Sequence, residues 1–158
     1  MSREHTDSPE INKNVHPPFI ALFYLVAALI MQKFIPIPFE TSVIIKTAGL
    51  GLALIGLLLG LSAFMEFRKV QTTLDPHGSV RTLVTDGIYR FTRNPIYLGF
   101  FLMVIGFPLN YGSLWGLVAA PFFAATVSRL VIEKEEAYLE KKFQGQYTNY
   151  SLRVRRWL

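Results

Sequence analysis

The chain has 158 residues, of which 51% are apolar and only 17% charged, and a formal net charge of +5. That is one domain's worth of residues with too lean a polar surface for a water-soluble globule. Cysteine is absent, which excludes disulfides, thiolate zinc sites, a cysteine nucleophile and palmitoylation.

A polar tail, residues 1–17, comes first. Its acids Glu4, Asp7 and Glu10 precede the first apolar run and no small-residue cleavage site follows, so that run reads as a retained helix and not a signal peptide. A hydrocarbon layer about 30 Å thick needs roughly 20 apolar helical residues. The first such run, about 18–35, is broken only by Gln32 and by Lys33, whose long amine can snorkel to the interface. The second, about 43–67, is uncharged from Thr47 to Met65. Gly49, Gly56 and Gly60 recur there at helical spacing and mark one face as a close-packing seam. Two further apolar stretches, Ile96 to Tyr111 and Leu114 to Ser128, within expected helices of about 95–109 and 112–143, are separated by Pro108, Asn110 and Gly112, which predict a tight turn between the arms of a helical hairpin. The first arm is short for a full crossing, so it tilts, thins the bilayer or is buried against its neighbours. The expected fold is therefore all-α: an integral membrane helical bundle of about four transmembrane helices, with a cytoplasmic amphipathic helix at the C-terminus.

Lys and Arg divide unevenly among the connecting segments. Fourteen fall in the N-terminal tail, residues 66–95 and the segment from 129 onward, against Lys33 and Lys46 on the other side. Basic residues are retained in the cytoplasm, so both termini are expected there. The positive charge thus reads as topology and attraction to anionic lipid, with no nucleic acid partner implied.

Two polar segments, 71–97 and 129–158, carry more specific side chains than connectors need. In the first, Asn94 followed by Pro95 predicts a helix start, N-cap then N1. Such a start is either simply a well-capped helix or a place to hold an anion. In the second, a period of about 100° per residue puts Ile132, Glu135, Glu136, Leu139 and Phe143 on one side. Carboxylates on a packed face require a partner, either a cationic ligand or one of Arg90, Arg93 and Arg129. Beyond them Phe143, Tyr147, Tyr150 and Trp157 interleave with Lys142, Arg153, Arg155 and Arg156, the composition of an anchor at the headgroup boundary. His5, His16 and His77 are too scattered to ligate a metal, and none is expected. Dinucleotide, Walker A and nucleophile-elbow motifs are all missing.

Taken together, Arg81-Thr82-Leu83-Val84-Thr85-Asp86-Gly87-Ile88-Tyr89 and Arg93-Asn94-Pro95-Ile96-Tyr97 resemble the Leu-Val-Thr-x-Gly-x-Tyr and Arg-His-Pro-x-Tyr segments of the isoprenylcysteine carboxyl methyltransferase family. Thirty-eight residues after Tyr97, Glu135-Glu136-x-x-Leu139 followed by Phe143, Tyr147 and Tyr150 resembles that family's Glu-Glu-x-x-Leu-x-x-x-Phe-Gly-x-x-Tyr-x-x-Tyr. Similarity to phospholipid N-methyltransferases is more distant. The resemblance covers about the second half of the chain, and the paired motifs are more specific than either alone.

It implies a single membrane methyltransferase domain over 18–158, using S-adenosylmethionine and placed in a bacterial inner membrane. Implied cofactor contacts are Arg81, Thr82, Leu83, Val84, Tyr89, Asn94, Pro95, Ile96, Tyr97 and Glu135, within motifs at 81–97 and 129–150. The helix start would meet the methionine carboxylate or ribose, tyrosine rings the adenine or sulfonium, and Glu135 the ammonium. Three positions depart from the pattern. Asn94 replaces the family's His and so removes a titratable base. Val131 stands where the enzyme carries a substrate-facing Arg, which leaves Arg129 as the candidate substrate contact. The number of membrane segments is smaller than in the eukaryotic enzymes, which argues against a prenylated protein as acceptor. The implied acceptor is hydrophobic or lipid-like, with a carboxylate or thiol favoured because no general base is evident. A lipid amine acceptor and a non-catalytic binding protein that keeps the fold are the alternatives.

Overall fold

The computed structural model describes residues 8–40, 42–69 and 80–158. His5, His77 and residues 71–79 of the first polar segment lie outside them. Described elements are helices α1 (Pro17–Phe34), α2 (Val43–Lys69), α3 (Pro95–Asn110), α4 (Trp115–Val127), α5 (Glu133–Phe143) and α6 (Gly145–Arg153), with a 3-10 turn at Gly87–Arg90 and a π-turn at Ser128–Ile132.

Three stretches are long and apolar enough to cross a membrane: Pro17–Phe34, Val43–Lys69, and Trp115–Phe143, in which α4, the π-turn and α5 run on as one rod. Their outer faces carry exposed apolar side chains such as Phe23 at 66% and Leu58 at 60%, which water would penalise and lipid does not. The molecule is a multi-pass helical membrane bundle. α3 differs from the other three: its 16 residues reach only about 24 Å at 1.5 Å per residue. It is central, packed along α2 and also against α4 and α1.

Small residues make the α2–α3 packing possible. A Cβ on Gly56 would lie 2.5 Å from the Gly99 carbonyl oxygen, and one on Gly106 would lie 2.5 Å from that of Gly49. The two backbones therefore touch, and Ala53, 3% exposed, fills the space between the glycine pairs. Of the seam expected from the sequence, Gly49 and Gly56 face α3, whereas a Cβ on Gly60 would meet nothing within 4 Å. Asn110 closes the far end by donating from Nδ2 to the Lys46 carbonyl at 3.0 Å.

Pro108, assigned from sequence to the turn, lies inside α3. Proline has no N–H, so the Val104 carbonyl loses its helical donor. Gly116 of α4 is applied to that gap, where a Cβ would come within 2.7 Å of the Val104 oxygen. The turn itself is a Schellman motif on Gly112, whose φ is 80°. The Ser113 N–H donates to the Pro108 carbonyl at 2.8 Å and the Gly112 N–H to that of Leu109 at 3.0 Å.

The main core unites Val104, Phe123, Val127, Val131 and Ile132, all fully buried, with α1 added through a Tyr24–Thr126 hydroxyl hydrogen bond of 2.7 Å. Ile11 joins this core at 6% exposure, so part of the segment read as a polar tail packs on the bundle. A second core, around Ala63, Val84, Tyr89, Tyr147 and Tyr150, lies where α2, the 3-10 turn and α6 meet. Tyr147 and Tyr150 are each 4% exposed and Trp157 packs on Phe101, so the tail aromatics face protein and do not serve as interfacial anchors.

The glycine seam generates a paired expectation. Gly56→Ala forces two helix backbones apart and should cost about 1–3 kcal/mol or more, lowering the thermal-unfolding midpoint in detergent followed by far-UV circular dichroism. Gly51→Ala, whose Cβ meets nothing within 4 Å, should leave the midpoint unchanged. Equal effects of the two variants would contradict the packing described.

Candidate functional site

Two sequence segments far apart converge at the end of the bundle where α2 stops and α3 starts. The loop entering α3 is fixed by local chemistry. Gly87 has φ 60°, a conformation side chains resist, and the Glu66 carboxylate occupies the space its Cβ would need. The 3-10 turn that follows buries Tyr89 against Phe67, with ring centroids 5.7 Å apart. Asn94 and Pro95 then start α3 as N-cap and N1, as the sequence indicates. The Asn94 side chain does not cap the helix. Its Nδ2 donates to the Arg156 carbonyl at 3.0 Å, and Thr92 Oγ1 donates to the same oxygen at 3.2 Å.

The second segment follows the π-turn. The wider turn at Ser128–Ile132 adds a residue, and Val131 and Ile132 are both fully buried. Beyond it Glu135, Glu136, Tyr138 and Leu139 line a cleft. Such turns inside α-helices are common at functional sites. Val131, standing where the resembled family has arginine, is thus part of the core.

Between the segments is this cleft, open to solvent at its mouth, with a cavity volume of about 120 Å³. Of the residues expected at a cofactor site, it brings together Leu83, Val84, Tyr89, Asn94, Pro95, Ile96, Tyr97 and Glu135. Arg81 and Thr82 are exposed and outside its lining, and Arg129 is exposed on the rod away from it. The cleft is also lined by Phe67, Arg93, Glu136, Tyr138, Tyr147 and Tyr150. Tyr147 and Tyr150 stand in the quoted motif and Arg93 beside Asn94, but nothing local marks them as wall residues.

The adjacent glutamates have different partners. Glu136 receives Arg93 Nη2 at 3.1 Å, Arg156 Nε at 3.1 Å and a short bond from Arg156 Nη2. Glu135 accepts one hydrogen bond, from the Tyr97 hydroxyl at 2.8 Å, and no cation lies within ion-pair distance of it among the described residues. Arg93 is clamped by Glu136 and by the Tyr147 ring, 5.9 Å from its guanidinium, yet its buried Nε has no hydrogen-bond partner among the described residues. The cleft therefore presents an uncompensated carboxylate and a spare guanidinium N–H between tyrosine rings, which suits a zwitterionic amino acid group. Among the described residues no cluster of metal-ligating side chains occurs.

The Tyr150 hydroxyl donates to the Tyr89 carbonyl at 2.7 Å and fastens α6 to the 3-10 turn. Burial and the Glu136 charge push the Tyr147 phenol up to about 12 from the ordinary 10, and burial also raises Tyr89 and Tyr150. Folded tyrosines that hold their protons more tightly than unfolded ones stabilise the protein below the unfolded pKa. That contribution should be intact below pH 10 and be lost as pH rises through about 12. Phenolate absorbance of the folded protein should thus show some tyrosines ionising late, together with unfolding; ordinary ionisation of all of them near pH 10 would contradict this burial.

The model of the phospholipid methyltransferase family matches residues 44–146. Protein-S-isoprenylcysteine O-methyltransferase of Schizosaccharomyces pombe is 31% identical over 116 residues, 69% of this chain and 47% of that protein. Protein-S-isoprenylcysteine O-methyltransferase B of Arabidopsis thaliana is 37% identical over 75 residues, 46% of this chain and 36% of that protein. An uncharacterised Haemophilus influenzae protein is 33% identical over 63 residues, 40% of this chain and 100% of its own length. This chain thus spans about half or less of the two named methyltransferases. No solved structure matches. The family match covers the α2–α3 pair, the cleft loop and both glutamates, and the chain belongs to the phospholipid methyltransferase family.

Proposed function

We propose that the protein is a membrane methyltransferase that binds S-adenosylmethionine in the cleft and methylates a hydrophobic or lipid-like acceptor. One observation carries the reading. Among the described residues Glu135 is a recessed carboxylate with a single hydrogen bond and no cation, an arrangement that is costly unless a ligand supplies the charge. The cofactor's ammonium meets Glu135, its carboxylate meets the spare Arg93 N–H, and Tyr89, Tyr147 and Tyr150 offer ring faces to the adenine or the sulfonium. Arg81 and Thr82, exposed outside the cleft, are left out of this set, and so is Arg129 as an acceptor contact.

The cofactor supplies an activated methyl group, so the protein's own task is alignment and exclusion of water. The buried tyrosines and the apolar wall of Leu83, Val84 and Ile96 provide the exclusion. Asn94 contributes no imidazole and its amide is engaged by the tail, so it does not act as a base. An acceptor that is already anionic, a carboxylate or thiolate, fits such a site. With both termini in the cytoplasm, the cleft opens at the cytoplasmic headgroup level, reached by a polar cofactor from water and by an acceptor from lipid.

A lipid amine is the second reading, favoured by the description of the matching family. Its ammonium must lose a proton first. Product analysis with phosphatidylethanolamine as acceptor distinguishes the two.

Calorimetric titration of the folded protein with S-adenosylmethionine tests the cofactor reading. Saturable binding is expected for the wild type, weakened about 30-fold or more by Glu135→Ala, as for the loss of one partner of a desolvated charge pair. A folded wild type that binds nothing would overturn the enzymatic reading in favour of a non-catalytic membrane protein.

A further inference from the structure

Residues 147–158 lie beyond the stretch that matches the family, yet they build one side of the cleft. We propose that α6 and the segment after it form a lid over the cleft, hinged at Gln144 and latched by Arg156 on Glu136, which opens to let a polar ligand in or out. Arg156 is then a positioning residue, acting on the site only through Glu136. The ligand's identity rests on the cofactor reading above; the lid itself does not.

The hinge is one residue long. α5 ends at Phe143, α6 begins at Gly145, and Gln144 between them has φ 46° and ψ −124°. Glycine adopts this conformation readily and glutamine does not. The motif quoted from the resembled family has glycine at this position, and here glycine comes one residue later. The closed geometry is therefore held against the backbone preference of its own hinge.

What holds it closed is the second core, which Tyr147, Tyr150 and Val154 enter, the Tyr150–Tyr89 bond, and a set of bonds beyond α6. Tyr147 and Tyr150 point inward, whereas Gln146, Thr148, Asn149 and Leu152 are exposed. Beyond α6, the Arg93 N–H donates to the Arg155 carbonyl at 3.0 Å, and the Arg156 carbonyl receives Thr92 and Asn94. The Arg156 guanidinium bonds to both oxygens of Glu136. These contacts land on residues 92–94 and Glu136, of which Arg93, Asn94 and Glu136 line the cleft. Lifting the segment removes two tyrosine walls and leaves Arg93 facing water. A nine-residue helix freed from its packing does not persist in water, so an opened lid loses its own helical hydrogen bonds.

Hydrogen exchange read by mass spectrometry on the full chain in nanodiscs, without ligand, tests this directly. Arg156→Ala should raise exchange of the α6 amides about tenfold or more, the effect of losing a charge-assisted pair, with α2 and α3 unchanged. Arg156→Lys, which keeps the charge but not the two-pronged geometry, should fall between. Gln144→Gly, relieving the hinge, should slow exchange of the same amides. Unchanged α6 exchange in Arg156→Ala, a rise shared by every helix, or no slowing in Gln144→Gly would each overturn the lid. S-adenosylhomocysteine dissociation by stopped flow should follow the same order, fastest in Arg156→Ala and slowest in Gln144→Gly. Equal dissociation rates would overturn the gating role. A wild type that does not bind S-adenosylhomocysteine would count against the cofactor reading alone, because the exchange result is read without ligand.

Discussion

Glu136 is held between two arginines from opposite ends of the motif region, Arg93 before α3 and Arg156 near the end of the chain. Removing charges from water is costly, and a recessed carboxylate is tolerated when cations and hydrogen bonds reach it together. Here that requirement joins three segments, α5, the loop entering α3 and the tail after α6, and bonds from Thr92, Arg93 and Asn94 to the tail carbonyls reinforce the junction. Side-chain hydrogen bonding to Glu136, the largest influence on Arg156, raises the pKa of that already cationic guanidinium. The neighbouring Glu135 shares the location without sharing the arginines, and that asymmetry defines the cleft chemically.

The surrounding bundle makes the asymmetry reproducible. Backbone contact at Gly56–Gly99 and Gly49–Gly106 fixes α3 against α2, and α3 in turn fixes Tyr97. The π-turn joins α4 to α5, whose Glu135, Glu136, Tyr138 and Leu139 line the cleft. Neither device contributes a side chain that touches a ligand.

Much of this is legible in the sequence because lipid imposes a coarse code. Apolar runs locate α1, α2 and α4 to within a few residues, and glycines at helical spacing indicate the α2 face that meets α3. The paired glutamates declare themselves through a period of about 100° per residue. The π-turn is hidden, because Ser128–Ile132 reads as ordinary helix. The role of the tail is hidden for a different reason: aromatic residues alternating with arginine have the same composition whether they meet headgroups or fold inward. Only the positions of Tyr147, Tyr150 and Arg156 relative to a loop some 60 residues earlier separate the two, and that pairing is tertiary. Pro108 shows a third limit, since a turn-forming residue can lie inside a helix when a glycine from the next helix covers the carbonyl it strands.

Arg93 reaches Glu136 from the loop before α3, and Arg156 reaches it from the tail after α6. One carboxylate thus serves as a common anchor for two segments far apart in sequence, and its loss strands two guanidinium groups at once. A substitution at this single position is felt on both sides of the cleft.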